Sequence, residues 1–147
     1  MLFSQDRNQL RNAYLQAWQK ARAKQPLTTL ERQLVEVIAE HPEYHALLED
    51  EETALASDFD PDGGAPNPFL HMGLHLAIRE QIATNRPQGI QKAYRDLNER
   101  NGTPHETEHN IMECLAQALW ESQRRGRAPD ETAYLECLFR LAGGARQ

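Results

Sequence analysis

The chain has 147 residues, enough for one domain with a single hydrophobic core, and we predict one helical domain over residues 1–147. Hydrophobic residues make up 39% and charged residues 26%, which is typical of a folded globular protein rather than a disordered or fibrous one. With 16 basic and 22 acidic side chains the net charge is −6, so neither nucleic acid nor an anionic membrane is expected as a partner.

Apolar residues recur every three or four positions through most of the chain, and strand patterns are nearly absent, which predicts an all-α fold. The first helix covers about 3–21 and ends before Pro26. The second begins at a capping box formed by Thr28 and Glu31. Pro42 then interrupts the second helix and begins a short helix over about 42–48.

The segment from Glu40 to Asp62 has nine acidic residues and no Lys or Arg. This composition predicts a polar, solvated connection at about 49–66, a candidate lid. Its residues 58–63 begin like a calcium loop, but the twelfth position is Phe69 instead of Glu, so we do not expect calcium there.

Four further helices are predicted from capping residues and from prolines at first helical positions. They cover about 67–82, 87–102, 103–126 and 129–143. Of these seven segments we take five as main helices and one or two as short ones, in a compact helical bundle.

The six histidines form three pairs, each with a spacing of four residues. These pairs are His41 and His45, His71 and His75, and His105 and His109. Random placement of six residues would produce three separate pairs on the order of a few times in 100,000, so the pattern needs a cause.

Histidines four residues apart lie on one face of a helix, so two imidazoles can bind one metal ion at about 2.0 to 2.1 Å from each nitrogen. Helical bundles often build metal sites from such residues on facing helices. We therefore predict a transition-metal site with His71, His75, His105 and His109 as ligands. Zinc, iron, copper and nickel all suit nitrogen-rich sites, and we take zinc or iron as the expected cofactor.

Further candidate ligands extend this set. His41 and His45 are predicted as a third pair or an outer layer of the site, and Glu113 lies one turn beyond His109. If the protein is an enzyme, the metal would activate water or oxygen, with Glu113 as a third ligand or as the group that moves the proton. Glu106 has the Glu-x-x-His spacing of dimetal bundles, but it is also the expected capping partner of Thr103.

Each histidine pair also has a structural interpretation. His41 precedes a proline near a helix end, where its ring can simply satisfy backbone carbonyls. The other two pairs could be core histidines that form hydrogen bonds with the backbone. Glu113 could be an ordinary exposed charge on a long helix.

Cys114 and Cys137 are the only cysteines and form no Cys-x-x-Cys pair, so we expect reduced thiols in the core. The N-terminus turns polar within six residues, and no stretch approaches the roughly 18 apolar residues of a membrane span, so we expect a cytoplasmic protein. Three arginines, Arg124, Arg125 and Arg127, cluster where the longest helix ends, where they favour the helix dipole or bind an acidic partner.

Several motifs together resemble a bacterial family of unknown function, domain of unknown function 1841. These motifs are residues 41–45 (HPEYH), 67–78 (NPFLHMGLHLAI), 112–115 (MECL) and 129–135 (PDETAYL). The resemblance covers nearly the whole chain and implies no reaction. The chain is also similar to haemerythrin-type dimetal bundles, which bind iron with histidines and carboxylates. The only His-x-x-x-Glu that we predict to face inward runs from His109 to Glu113, and we predict no inward-facing His-x-x-x-x-Asp.

Two functions therefore remain open at the level of sequence. The first is a helical metal protein with a histidine or histidine and glutamate site. The second is a non-catalytic interaction module, in which the histidines form a structural polar network and the acidic segment and the arginines bind other proteins. The partner would be a small molecule or a protein, and the oligomeric state is left open.

Overall fold

The computed structural model describes residues 2–57 and 67–143, and their side chains from Arg7 onward. These residues form eight α-helices and one 3-10 turn, with no strand, which confirms the all-α class. The helices are α1 (Leu2–Arg22), α2 (Thr29–Ala39), α3 (His45–Leu48), α4 (Glu51–Ala56), α5 (Pro68–Thr84), α6 (Ile90–Asn101), α7 (Pro104–Arg125) and α8 (Glu131–Gly143), and the 3-10 turn is Pro42–Tyr44.

Six of these helices have eleven or more residues, one more than the five predicted. The helix predicted over about 87–102 is α6, with 12 residues. It is separate because Gly89 and Gly102 flank it with positive φ angles of 107° and 87°, a conformation that glycine adopts at no steric cost.

The acidic connection predicted at about 49–66 begins with a helix. Asp50 caps α4 by accepting a hydrogen bond from the Thr53 N–H at 3.2 Å, and Ala54 is fully buried. The hydrogen bond to Thr53 lowers the pKa of Asp50. Residues 58–66, including the calcium-like motif, lie outside the described residues.

Contacts divide the chain into two compact units, residues 1–76 and 77–147. The interpretation as a single domain stays a prediction. In the part of the chain that the structure describes, no helix has the length and apolar character needed to span a membrane.

The first unit has an apolar core to which α1 and α2 contribute most residues. The core consists of Tyr14, Leu15, Ala17, Leu34, Val37, Ile38, Leu48, Ala54, Phe69 and Met72. The predicted capping box opens α2, because Thr28 Oγ1 accepts from the Glu31 N–H and Glu31 accepts from the Thr28 N–H. Arg11 is buried within this unit and donates to the carbonyls of Ala54 and Ser57 at 2.9 and 2.7 Å.

In the second unit, α6, α7 and α8 pack against one another. Arg79 donates two hydrogen bonds to the carboxylate of Glu108, at 3.0 and 3.1 Å, and Glu108 is almost fully buried. The Tyr134 hydroxyl donates to Gln81 Oε1 at 2.7 Å. Its burial raises the pKa of Tyr134, so the phenol keeps its proton at neutral pH.

The expectation of reduced thiols is wrong. Cys114 on α7 and Cys137 on α8 form a disulfide, with their Cα atoms 5.9 Å apart. The two cysteines are 23 residues apart and lie on two neighbouring helices that pack together. No short sequence motif therefore predicts their pairing.

Candidate metal centre

His41 lies at the point where the chain leaves α2. The following Pro42 disfavours helical backbone at His41, which has φ −127° and ψ 69°. Its ring turns back toward the helix, and Nδ1 donates to the Val37 carbonyl at 2.7 Å. Because a carbonyl can only accept, this bond fixes the proton on Nδ1, and the neutral ring offers Nε2 as the ligand atom.

His45 forms a similar bond from the next turn. Its Nε2 donates to the Ile38 carbonyl at 2.9 Å, and its ring lies 4.5 Å from the Trp18 ring. The last carbonyls of a helix have no partner within it. His41 and His45 therefore both supply hydrogen bonds at the end of α2, which matches the structural interpretation of His41.

His71 and His75 lie one turn apart on α5, with ring centroids 4.9 Å apart. The ring of His41 is 5.0 Å from that of His71 and 4.8 Å from that of His75. These three imidazoles are thus mutual neighbours. Tyr44 stacks on His41 at 5.4 Å with an interplanar angle of 5°, and burial raises the pKa of Tyr44.

The third pair lies in the first turns of α7, where Thr103 caps the helix by accepting from the Glu106 N–H at 3.2 Å. The rings of His105 and His109 are 4.3 Å apart, and both side chains are half-buried. The spacing of four residues therefore places both imidazoles on one face, as expected.

Four histidines contribute to one cluster. One ligand atom from each lies within 4.8 Å of the others, and the four residues are His41, His75, His105 and His109. In a tetrahedral site with metal–nitrogen bonds of about 2.0 to 2.1 Å, ligand atoms are about 3.4 Å apart. The 4.8 Å separation in the cluster is therefore wider than the spacing in a bound site.

The other predicted site residues have different positions. His71 is not among the four, although its ring contacts two of them. His45 is directed to Ile38 and Trp18. Glu113 and Glu106 are both exposed on α7.

The sequence predicted His41 as part of a third pair or of an outer layer of the site, and His41 is one of the four histidines in the cluster. The signal that could have indicated this is Pro42, because a residue before proline leaves the helix and can direct its side chain away from the helix face. The spacing rule alone treats His41 as one more member of a helical pair.

These observations define an all-helical protein with a histidine cluster suited to a transition metal. The chain belongs to the family described as Domain of unknown function (DUF1841), whose family model matches residues 6–140. Neither the comparison with curated proteins nor that with solved structures found a match.

Proposed function

We propose that this protein binds one transition-metal ion through His41, His75, His105 and His109. The observation that supports it most is the convergence of four imidazole ligand atoms within 4.8 Å. Two of the four side chains are almost fully buried, at 2% exposure for His41 and 0% for His75. One metal ion can bind several imidazoles at once.

The Val37 carbonyl supports the same proposal. Histidine ligands of metals commonly donate their other N–H to a carbonyl or carboxylate, which fixes the tautomer and the ring orientation. His41 has this arrangement, with a 2.7 Å bond from Nδ1 to Val37. The ring is thus oriented before any ion binds.

The identity of the metal would decide what the site does. Zinc bound by four protein ligands has a closed tetrahedral shell, which is typical of a structural site. Iron accepts more ligands, and four imidazoles would leave positions for water or oxygen. Zinc and iron therefore remain the two proposed cofactors, and only the iron form would activate a small molecule. The exposed Glu113 stays a predicted ligand or proton carrier.

The decisive experiment measures metal content and affinity. Protein made without a tag and never exposed to a metal column is analysed by mass spectrometry, then stripped with a chelator and titrated with zinc and with ferrous iron near neutral pH. We expect about one equivalent of metal. A content below about 0.1 equivalents together with no binding on titration would contradict the proposal.

Histidine variants test the ligand set. His75→Ala and His109→Ala should each weaken zinc binding by about 100-fold or more, because each removes one of four ligands. His45→Ala is the matched control, since its ring contacts Trp18 and Ile38, and circular dichroism verifies that each variant is folded. If His71→Ala loses the metal while His41→Ala retains it, the ligand set predicted from sequence replaces the one proposed here.

A second candidate function rests on the hydrogen bonds from His41 and His45 to the end of α2. These bonds show that histidines in this chain have a structural use, as expected for an interaction module without catalysis. Under this candidate the stripped protein would have the same free energy of unfolding with and without added zinc.

A further inference from the structure

A cavity of about 720 Å³ lies against the Cys114–Cys137 disulfide. It is lined by the second half of α7, by residues from the loop that follows, and by one face of α8. Both cysteines contribute to the wall. A small molecule in the cavity therefore lies beside both cysteines.

The two sulfurs differ in accessibility. Cys114 is only 2% exposed, whereas Cys137 is half-buried. A thiolate breaks a disulfide by attacking one sulfur, so the accessible sulfur is the one attacked. In this cavity that sulfur is Cys137 Sγ, and Cys114 Sγ is the leaving group.

The charges around the cavity favour an anion. Three arginines line it, and they are Arg125, Arg127 and Arg140. Each of the two acidic residues in the wall already has a partner. Glu121 pairs with Arg125 at 3.2 Å, and Asp130 accepts from the Ala133 N–H at 3.1 Å.

Two guanidinium groups are therefore left for a ligand. Within residues 2–57 and 67–143, neither Arg127 nor Arg140 forms an ion pair. Both are exposed, and both line the same cavity as the accessible sulfur. Guanidinium groups bind carboxylates and sulfonates through paired hydrogen bonds.

We propose that this cavity is a thiol–disulfide exchange site for a small thiol that carries an anionic group. The thiolate of the small molecule attacks Cys137 Sγ and forms a mixed disulfide. The bond to Cys114 breaks, and Cys114 leaves with the electron pair and takes up a proton. A second molecule of the thiol then attacks the mixed disulfide, which releases the small molecule as its own disulfide and leaves Cys137 reduced.

The test uses three small thiols of different charge on the oxidised full-length protein. They are 2-mercaptoethanesulfonate, 2-mercaptoethanol and cysteamine, which are anionic, neutral and cationic. Rates are compared at equal thiolate concentration and low salt, because thiolate is the reactive form. We expect the anionic thiol to react about tenfold faster than the cationic one, since positive charge raises the local concentration of anions.

Variants identify the source of the preference. Arg127→Gln combined with Arg140→Gln should reduce the ratio of the two rates to about twofold or less. Arg124→Gln is the matched control, because this neighbouring arginine stacks on Trp120 at 4.7 Å and does not line the cavity. It should retain the full ratio.

The position of the adduct gives a second readout. Peptide mapping after a short reaction and acid quench should find the small thiol on Cys137. The proposal fails if the adduct is on Cys114, if thiol charge has no effect, or if exchange is as slow as global unfolding of the chain.

Discussion

Helices are connected in two different ways in two regions of this protein. At the end of α2, the rings of His41 and His45 donate hydrogen bonds to the carbonyls of Val37 and Ile38. In the second region, a disulfide connects Cys114 on α7 to Cys137 on α8. The first kind of connection consists of hydrogen bonds from imidazole N–H groups to backbone carbonyls, whereas the second is covalent and is broken by electron donors.

This comparison also separates the two proposals. The first proposal is that the histidine cluster binds a metal ion. The second is that a small thiol attacks Cys137 in the cavity on α7 and α8. Zinc added to the oxidised protein therefore tests the histidine cluster, and a small thiol added to metal-free protein tests the cavity. A zinc titration and a thiol titration should yield separate responses.

The largest expected effect is stabilisation by zinc. At a free concentration about 1,000 times its dissociation constant, zinc should raise the free energy of unfolding of the stripped protein by about 4 kcal/mol, because it binds the folded chain. Denaturant titrations with and without zinc measure this. The His109→Ala variant should show no such increase, and an equal increase in that variant would contradict the ligand set.

The next largest effect is expected from reduction of the disulfide. Closing a loop over a separation of 23 residues restricts the unfolded chain, so reduction should lower the free energy of unfolding by about 3 kcal/mol. Urea denaturation with and without dithiothreitol measures the difference. A Cys114→Ala and Cys137→Ala double variant should be insensitive to dithiothreitol, and sensitivity there would indicate another cause.

A smaller effect is expected from a buried side chain that neither metal nor thiol affects. Arg11→Met should lower the free energy of unfolding by about 2 kcal/mol, since the carbonyls of Ala54 and Ser57 lose a charged donor. Thermal denaturation measures the change. Arg22→Gln is the matched control, because Arg22 is exposed and its ion pair with the exposed Glu49 is long, at 4.0 Å. The effect of Arg22→Gln should stay below about 0.5 kcal/mol.

The smallest effect at neutral pH is expected for Tyr14→Phe, and it should appear in alkali. Burial raises the pKa of Tyr14 from 10.0 to about 12. The folded state therefore keeps the phenolic proton that the unfolded chain loses, so stability is complete below about pH 10 and falls as the pH rises through about 12. Denaturation midpoints from pH 8 to 12 should fall less steeply in Tyr14→Phe, and parallel curves would contradict this assignment.

The sequence predicts much of the local structure because helix starts depend on neighbouring residues. Thr28 and Thr103 were expected as caps, and both accept the predicted hydrogen bonds. The spacing of four residues likewise places His105 beside His109. These features need no knowledge of how helices pack.

The remaining features depend on packing, which spacing does not specify. All six histidines were candidate ligands, and spacing alone does not say that the cluster contains His41 but not His71. The disulfide was missed for the same reason. Its formation depends on a Cα distance of 5.9 Å between two helices, a quantity that a sequence with two isolated cysteines does not contain.

The two tryptophans, Trp18 and Trp120, have different surroundings and can serve as two distinct intrinsic fluorophores. Trp18 is half-buried beside an imidazole ring, whereas Trp120 is 53% exposed with a guanidinium group over its face. Indole emission shifts to longer wavelength in water, so the emission maxima of the two should differ. Trp120→Phe would isolate the fluorophore on α1 and Trp18→Phe the one on α7. Comparing the two variants would give the order in which these helices loosen during denaturation, without any added dye.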